Sequence, residues 1–404
     1  MNRFYRPYST LPILPPRRAW AEIDLYALRE NYRTLCAAVG CANRKIRPIA
    51  VVKADAYGHG APACVRALMK EGCNFFAVSC IEEAMEVRRA CGEENVDVLI
   101  LGYTDPTLAG ALADGNIIQA LISERYAEAL QREASRAGVR VRAHIALDTG
   151  MNRIGFSAQN KAEIEETVRA IFRVRLCENL QVEGMFTHFA RADEEAGVAD
   201  TDLQADRFRA VRSRLTEGGT RISFCHVCNS AGSLGRLEDC MDGVRFGIAL
   251  YGVCPLEKPT VSLRPVMRLY TTVTHVHWVS DGAAVGYGGT WIAKGDRWIA
   301  TLPIGYADGW LRAYRGATVT VSTESGECAA PIVGRICMDQ CMIDVTGTDA
   351  REGDTVTLFG GGDSQALSAL AARAGTIEYE SLCLISSRVP RVYATEPKGE
   401  KKCL

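Results

Sequence analysis

The chain has 404 residues, 48% of them hydrophobic and 24% charged, with 47 Lys and Arg set against 48 Asp and Glu. That length exceeds one ordinary core and favours two domains, while the near-neutral balance excludes a nucleic-acid or anionic-membrane surface as the main partner. Small molecules and further subunits remain as partners.

The sixteen cysteines are scattered along a long chain without a secretory signal, which points to reduced thiols and a cytoplasmic setting rather than a disulfide scaffold. Neither the Cys225 and Cys228 pair nor Cys337 and Cys341 has a second pair at zinc-site spacing, so no metal is expected.

Residues 1–18, "MNRFYRPYSTLPILPPRR", read as an irregular leader, too short and too proline-broken for a signal core or a membrane span. Across 19–258 short apolar runs alternate with amphipathic helical stretches. The runs are "AWAEID", "PIAVVK", "FFAVS", "VDVLIL", "IIQALI", "RAHIALD", "VEGMFTH", "SFCHVC" and "GVRFGIA". Segments such as "APACVRALMKEG" and "RYAEALQREASRAG" between them have helical period and close on glycine. Repeated βα units mean a parallel sheet, and about eight of them favour a closed barrel. Nine runs compete for eight places; the first, "AWAEID", is the expected surplus, pairing instead with the second domain.

From 259 to 395 β-branched residues alternate without helical period, and Gly-Gly and Gly-Asp pairs punctuate the runs. One helical piece, "SQALSALAARAG", interrupts them, and 396–404 reads as a tail. The expected fold class is therefore α/β: an N-terminal (β/α)8 TIM-type barrel followed by a C-terminal mostly-β domain.

In such a barrel, reactive groups sit where strands end. Lys53 and Tyr57 follow "PIAVV", Asp148 and Arg153 follow "HIAL", and His188 ends "VEGMFT". Asn229 and Ser230 follow "FCHVC", and Arg245 lies in the last barrel strand. A lysine partly desolvated at a pocket rim has a lowered pKa and forms a Schiff base with an aldehyde. "NSAGS" and "FGIALYG" fall in the last two barrel units, where this architecture builds phosphate sites from backbone N–H groups. An aldehyde carried on a phosphate handle describes pyridoxal 5'-phosphate.

Ten motifs now stand in order: "RRAWAEIDLYALRENYRTL", "AVVKADAYGHG", "LDTGMNRIGF", "THFA", "CNSAGS", "VRFGIALYG", "VGYGGTW", "PIGYADGW", "VGRICMDQCMIDV" and "RVPRVY". Over nearly its whole length the chain resembles the alanine racemases, the fold type III pyridoxal-phosphate family. The resemblance implies that Lys53 carries the cofactor and is one catalytic base, and that Tyr287, from the β domain of a second subunit, is the other. It implies that Arg245 faces the pyridine nitrogen, supported by His226, with His188 beneath the ring. Arg153 would bond the ring hydroxyl and bind substrate. Tyr57, Asn229, Ser230, Gly247 and Ile248 would hold the cofactor at its phosphate end. Met338 would bind the substrate carboxylate through its backbone, with Tyr306 and Asp339 lining the entrance. A homodimer with shared active sites, racemising L-alanine to D-alanine for peptidoglycan, follows from the same resemblance. His275 and His277, alternating on a strand away from any motif, are read as structural.

Two positions depart from the family pattern. Ala146 stands where members often have a carbamylated lysine that steadies the arginine, so Arg153 is expected to use Asp148 or a bound anion such as chloride. Ser387 stands where a tyrosine usually narrows the channel; a ring burying about 150–250 Å² is replaced by a hydroxymethyl group. A serine or broad-specificity racemase is therefore the alternative reading, with a decarboxylase or a non-catalytic cofactor carrier on the same architecture further behind.

Overall fold

The computed structural model describes residues 18–360 and 364–396. Apart from Arg18 and Glu396, the leader and tail ranges lie outside the described residues. The chain forms two compact units: Leu28–Ala56 with Ala61–Leu263, and the described residues up to Ala27 with Tyr57–Gly60 and those from Arg264 onward.

In the first unit the parallel strands Arg47–Val51, Phe75–Val78, Asp97–Ile100, Ile117–Leu121, Val141–Asp148, Leu180–Phe186, Phe224–His226 and Gly243–Phe246 pair in chain order. The last also pairs with the first, closing an eight-stranded barrel. Every residue of Phe75–Val78 and Ile117–Leu121 is buried, which accounts for their apolar runs, since both faces are covered; the exception, Gln119, donates to Gly102 O at 2.8 Å. The helix Glu124–Ala137 turns Tyr126, Ala127, Leu130 and Ala134 inward, an apolar stripe at helical period. Ser123 caps its start by accepting from Tyr126 N–H, and Gly138, left-handed at φ 66°, ends it.

The second unit is built on a nine-stranded sheet with His275–Val279 at one edge and Arg391–Ala394 at the other. Ala19–Asp24 belongs to this sheet, antiparallel to Met267–Thr272 and parallel to Arg391–Ala394. Its burial alternates from Ala19 to Ile23, as expected for a strand with one face in a core. Trp20 stacks on its cross-strand partner Tyr270, ring centroids 5.3 Å apart.

The segment after Lys53 was not foreseen. Ala54, Asp55, Ala56 and Tyr57 all have φ between 51° and 55°, followed by Gly58 at 80°, a single turn wound left-handed. Each L-residue in that region costs about 1–2 kcal/mol, so the turn needs outside support. Ala54 N–H donates to Glu83 Oε1 (2.7 Å), Ala61 N–H to Asp55 Oδ1 (2.7 Å) and Ala56 N–H to Val52 O (2.9 Å). Small side chains at 54 and 56 keep the crowding tolerable.

Candidate active site

Lys53 emerges where its strand ends and lines a cavity of about 290 Å³ with Ala146, Asp148, Arg153, Phe186 and His188. All come from the C-terminal ends of barrel strands or the loops just beyond, where this architecture places its chemistry.

Behind the cavity Arg245 is 2% exposed. Its NH1 donates to His226 Nδ1 (2.6 Å) and His226 O (2.9 Å), and its NH2 to Thr187 O (2.7 Å) and Val227 O (2.9 Å), with His188 Nδ1 at 3.4 Å. The guanidinium is thus locked on two sides, and its Nε–H is the donor left without a partner among the described residues. Burial pushes its pKa down to about 10, with Arg153 adding in the same direction; it remains a cation at neutral pH. Because a guanidinium offers only donors, His226 Nδ1 must accept. Its proton then sits on Nε2, which faces His144 Nδ1 at 3.1 Å.

That chain ends beside Glu183, 4.0 Å from His144 Nε2. Burial, then the charge of Arg142, lowers the His144 pKa to about 3. His226 is held well below its usual range by burial and by Arg245, and His188 by burial and then Arg245, Arg153 and Lys53. All three imidazoles are therefore neutral. His144 went unnoticed in the sequence because "HIAL" reads as core strand; the one available signal was Gly184, where a Cβ would overlap the His144 ring.

Of the expected phosphate-end residues, Asn229, Ser230, Gly247 and Ile248 stand at the ends of the last two barrel strands. Ser230 is buried, and its Oγ accepts from Gly247 N–H (2.8 Å), leaving the hydroxyl proton to donate. Ile248 is buried at the start of the turn Ile248–Tyr251. Asn229 behaves differently: its Oδ1 accepts from Gly232 N–H (2.9 Å) and its Nδ2 donates to Phe189 O (3.4 Å), so its carboxamide shapes the turn. Tyr57 is buried with its ring 6.1 Å from Tyr379, and burial raises its hydroxyl above the usual range. Cys228, just before this turn, has its sulfur 3.8 Å from that of Cys240; no disulfide joins the described cysteines.

Arg153 makes no hydrogen bond or ion pair with the described residues. Asp148, one of its two expected neighbours, instead closes its own loop, its Oδ1 accepting from Gly150 and Asn152 N–H (3.0 Å each). Ala146, 2% exposed, packs with Ala120 and Phe186. Among the described residues no cluster of three or more His, Cys, Asp or Glu is placed to hold a metal ion, and no helix is long and apolar enough to cross a membrane.

The remaining expected site residues lie in the second unit. Tyr287 stands on the turn Tyr287–Gly289, between Gly286 (φ 74°) and Gly288 (φ 73°). It is 72% exposed and has no hydrogen-bond partner among the described residues. It shares a cavity of about 550 Å³ with Cys337, Met342 and His277. His277 therefore lies nearer to a candidate base than its strand position suggested, whereas His275 turns to Glu352 (Nδ1 to Oε1, 3.1 Å). Tyr306 N–H donates to Cys337 O and Ala307 N–H to Met338 O, both 3.0 Å. Arg388 NH2 donates to Asp339 Oδ1 at 2.7 Å, beside the exposed Ser387.

The residues fit pyridoxal phosphate. A lysine opens on a cavity, a fixed cation keeps its Nε–H for a ring nitrogen, and a small-residue turn supplies the Ser230 hydroxyl as a donor for a phosphate. Comparison with known proteins agrees. Residues 23–255 match the family model for the alanine racemase N-terminal domain, and 266–393 that for the C-terminal domain. The alanine racemase of Desulfovibrio desulfuricans is 40% identical over 381 residues, covering 93% of this chain and 98% of its own. That of Clostridium tetani is 40% identical over 385 residues, covering 93% and 95%. Among solved structures, alanine racemase of Clostridium difficile 630 superposes with a TM-score of 0.86 at 35% identity, covering 95% of this chain and 98% of that one. The Bacillus anthracis enzyme with bound L-Ala-P gives 0.85 at 31%, covering 96% and 97%. With both halves of the chain matched in order and nearly end to end, the protein belongs to the alanine racemase family.

Proposed function

We propose that this pyridoxal-phosphate-dependent alanine racemase inverts its substrate with two bases, Lys53 and the Tyr287 of a second copy, and that the D-alanine it makes supplies peptidoglycan. When bound, the cofactor withdraws electrons from the amino acid so that its α-proton can be removed. The protein does the rest. Lys53 Nζ takes or returns a proton on one face of the α-carbon, and Tyr287 Oη does so on the other. An amine and a phenol have similar reference pKa values near 10, so either can act in either direction. Arg245, donating through Nε and fixed by His226, keeps a ring nitrogen facing it unprotonated, which limits how far charge spreads into the ring.

Arg153 is assigned to the ring hydroxyl and the substrate, and His188, neutral, to the space beneath the ring. Ser230, Ile248 and Tyr57 are assigned to the phosphate, with Gly247 N–H holding the Ser230 hydroxyl in place and Asn229 holding the turn in shape. Met338 offers its backbone to the substrate carboxylate; Tyr306 and Asp339 border the entrance.

The observation that carries this reading is the display of Tyr287: a large phenol, 72% exposed and unpartnered, on a turn whose glycines fix its direction. A phenol standing in solvent has no substrate beside it to act on. A two-fold dimer, in which the same patch serves both subunits, gives it one.

The test is racemisation of L-alanine in deuterated water. Lys53→Ala should abolish turnover. Tyr287→Phe should slow racemisation by about 100-fold or more, the scale of a lost general base, while one enantiomer still exchanges its α-proton. Loss of exchange from both enantiomers in Tyr287→Phe would remove the two-base assignment. A specific observation also supports broader selectivity: Ser387 is small and exposed beside the Asp339–Arg388 pair, so L-serine belongs in the same assay.

A further inference from the structure

We propose that Asp308 is a positioning residue: a buried carboxylate that clamps the three segments of the substrate entrance, those bearing Tyr306, Met338 with Asp339, and Ser387, into one rim. The proposal rests on the reading of those segments as the entrance.

Asp308 sits in the "GYADG" turn and is completely buried. Its Oδ2 accepts from Gly305 N–H (3.0 Å) and from Arg18 NH1 (2.9 Å), and Arg18 NH2 bonds to its Oδ1. Arg388 Nε lies 3.5 Å from the same Oδ1. A buried carboxylate with two guanidinium partners and a backbone donor is satisfied only while all of them stay in place.

Gly305 and Arg388 belong to two different segments of the rim, and Arg18 anchors the turn from outside it. Gly305 begins the turn that carries Tyr306, and a Cβ there would overlap the carbonyl oxygens of Cys337 and Met338. Gly309 ends the turn with φ +94°, and a Cβ there would overlap Leu384 O. The turn is therefore wedged between the Met338 segment and the segment leading to Ser387, through two glycines that permit backbone approach. Ser386 N–H donates to Asp308 O at 3.1 Å. Arg388 completes the linkage by holding Asp339 at 2.7 Å with NH2 while its Nε faces Asp308. Arg18 ties the turn to the sheet through Pro303 O at 2.6 Å.

Asp308 itself is too deeply enclosed to meet substrate. Its charge acts through Arg388 and the turn, setting where Tyr306, the Met338 backbone and Asp339 stand. Displacing groups that hold the substrate weakens binding in the ground and transition states alike, so the expected signature lies in KM.

The experiment uses the holoenzyme and compares Asp308→Asn, Arg388→Gln, Arg388→Lys and Tyr306→Ala with wild type. Asp308→Asn and Arg388→Gln should each raise KM for L-alanine about fivefold or more, with kcat within about twofold and the absorbance of the bound cofactor unchanged. Arg388→Lys, which keeps the charge, should recover at least half of the loss. An unchanged KM in Asp308→Asn and Arg388→Gln while Tyr306→Ala raises it overturns the clamp and leaves the entrance reading standing. An unchanged KM in Tyr306→Ala overturns the entrance reading and the clamp with it. If kcat falls in step with melting temperature and KM stays constant, Asp308 is structural only and the proposal fails. Should Asp308→Asn not fold, Arg388→Gln decides, since that side chain is partly in solvent.

Discussion

His226 Nδ1 accepts from Arg245 NH1 at 2.6 Å, and in doing so determines which nitrogen of His226 keeps its proton. One imidazole thereby orients a cation on one side and addresses a second imidazole, His144, on the other.

Replacing that acceptor leaves a buried guanidinium N–H unsatisfied, at a cost of about 1–3 kcal/mol. His226→Phe is therefore expected to lower the melting temperature and, by freeing Arg245 to reorient, to reduce kcat about tenfold or more. His226→Gln, which can still accept, should retain more of both. Thermal unfolding and alanine turnover on the two variants check this; equal behaviour would mean that Arg245 needs no lateral support.

The same residues make the fold acid-sensitive. Folded His144 titrates at about 3, against about 6.5 in the unfolded chain. Between those values the unfolded state binds a proton that the folded state refuses, so stability falls as pH falls. The slope is about 1.4 kcal/mol per pH unit for each such imidazole. His144→Gln should flatten the decline of stability between pH 6.5 and pH 4 by that amount, measured by denaturant unfolding at fixed salt. An unaltered slope would mean that His144 is already protonated in the native protein.

How much of this was legible in advance differs by residue, for physical reasons. Lys53 could be read because a charge directly after "IAVV" breaks a run that only a doubly covered strand explains. The barrel followed from the alternation of such runs with helices closing on glycine. His144 could not be read: an imidazole made neutral by burial is, in one dimension, another member of an apolar strand. Asp308 was equally silent, since Asp before Gly is an ordinary turn signal, and only the fold brings Arg18 and Arg388 to it from opposite ends of the chain. Asn229 was read for its type and not its position; at the start of a short helix its carboxamide is consumed by the cap.

Arg153 has no counter-charge among the described residues, and Ala146 provides none. Activity is therefore expected to rise about two- to tenfold when chloride replaces a bulky anion at constant ionic strength, an attraction of the size found for partly exposed charge pairs. Ala146→Glu, which builds in a carboxylate, should abolish the response. Kinetics indifferent to chloride in the wild-type enzyme would dismiss a bound anion.

Ser387→Tyr should restore a wall to the channel. One side-chain group in a pocket discriminates by roughly 10–200-fold, so the ratio of kcat/KM for L-alanine over L-serine should climb at least tenfold. A ratio already high in the wild type, and unmoved by the tyrosine, would show that neighbouring groups fill the space.

If each site draws Lys53 from one subunit and Tyr287 from the other, two dead variants should rescue each other. Mixing Lys53→Ala with Tyr287→Phe under conditions of subunit exchange should restore about a quarter of wild-type activity: half the dimers are hybrids, and one of their two sites is intact. Failure to complement, with exchange verified by mass, would place both bases in one chain.

The left-handed turn at Ala54–Tyr57 limits how the reactive amine can be imitated. A short synthetic peptide carrying this stretch would relax to the opposite screw sense, because it lacks Glu83 and its few local bonds do not offset the cost of four L-residues in the mirror basin. The bearing of Lys53 therefore exists only in the complete tertiary structure, and inhibitors or antibodies raised against the linear segment would meet a different shape.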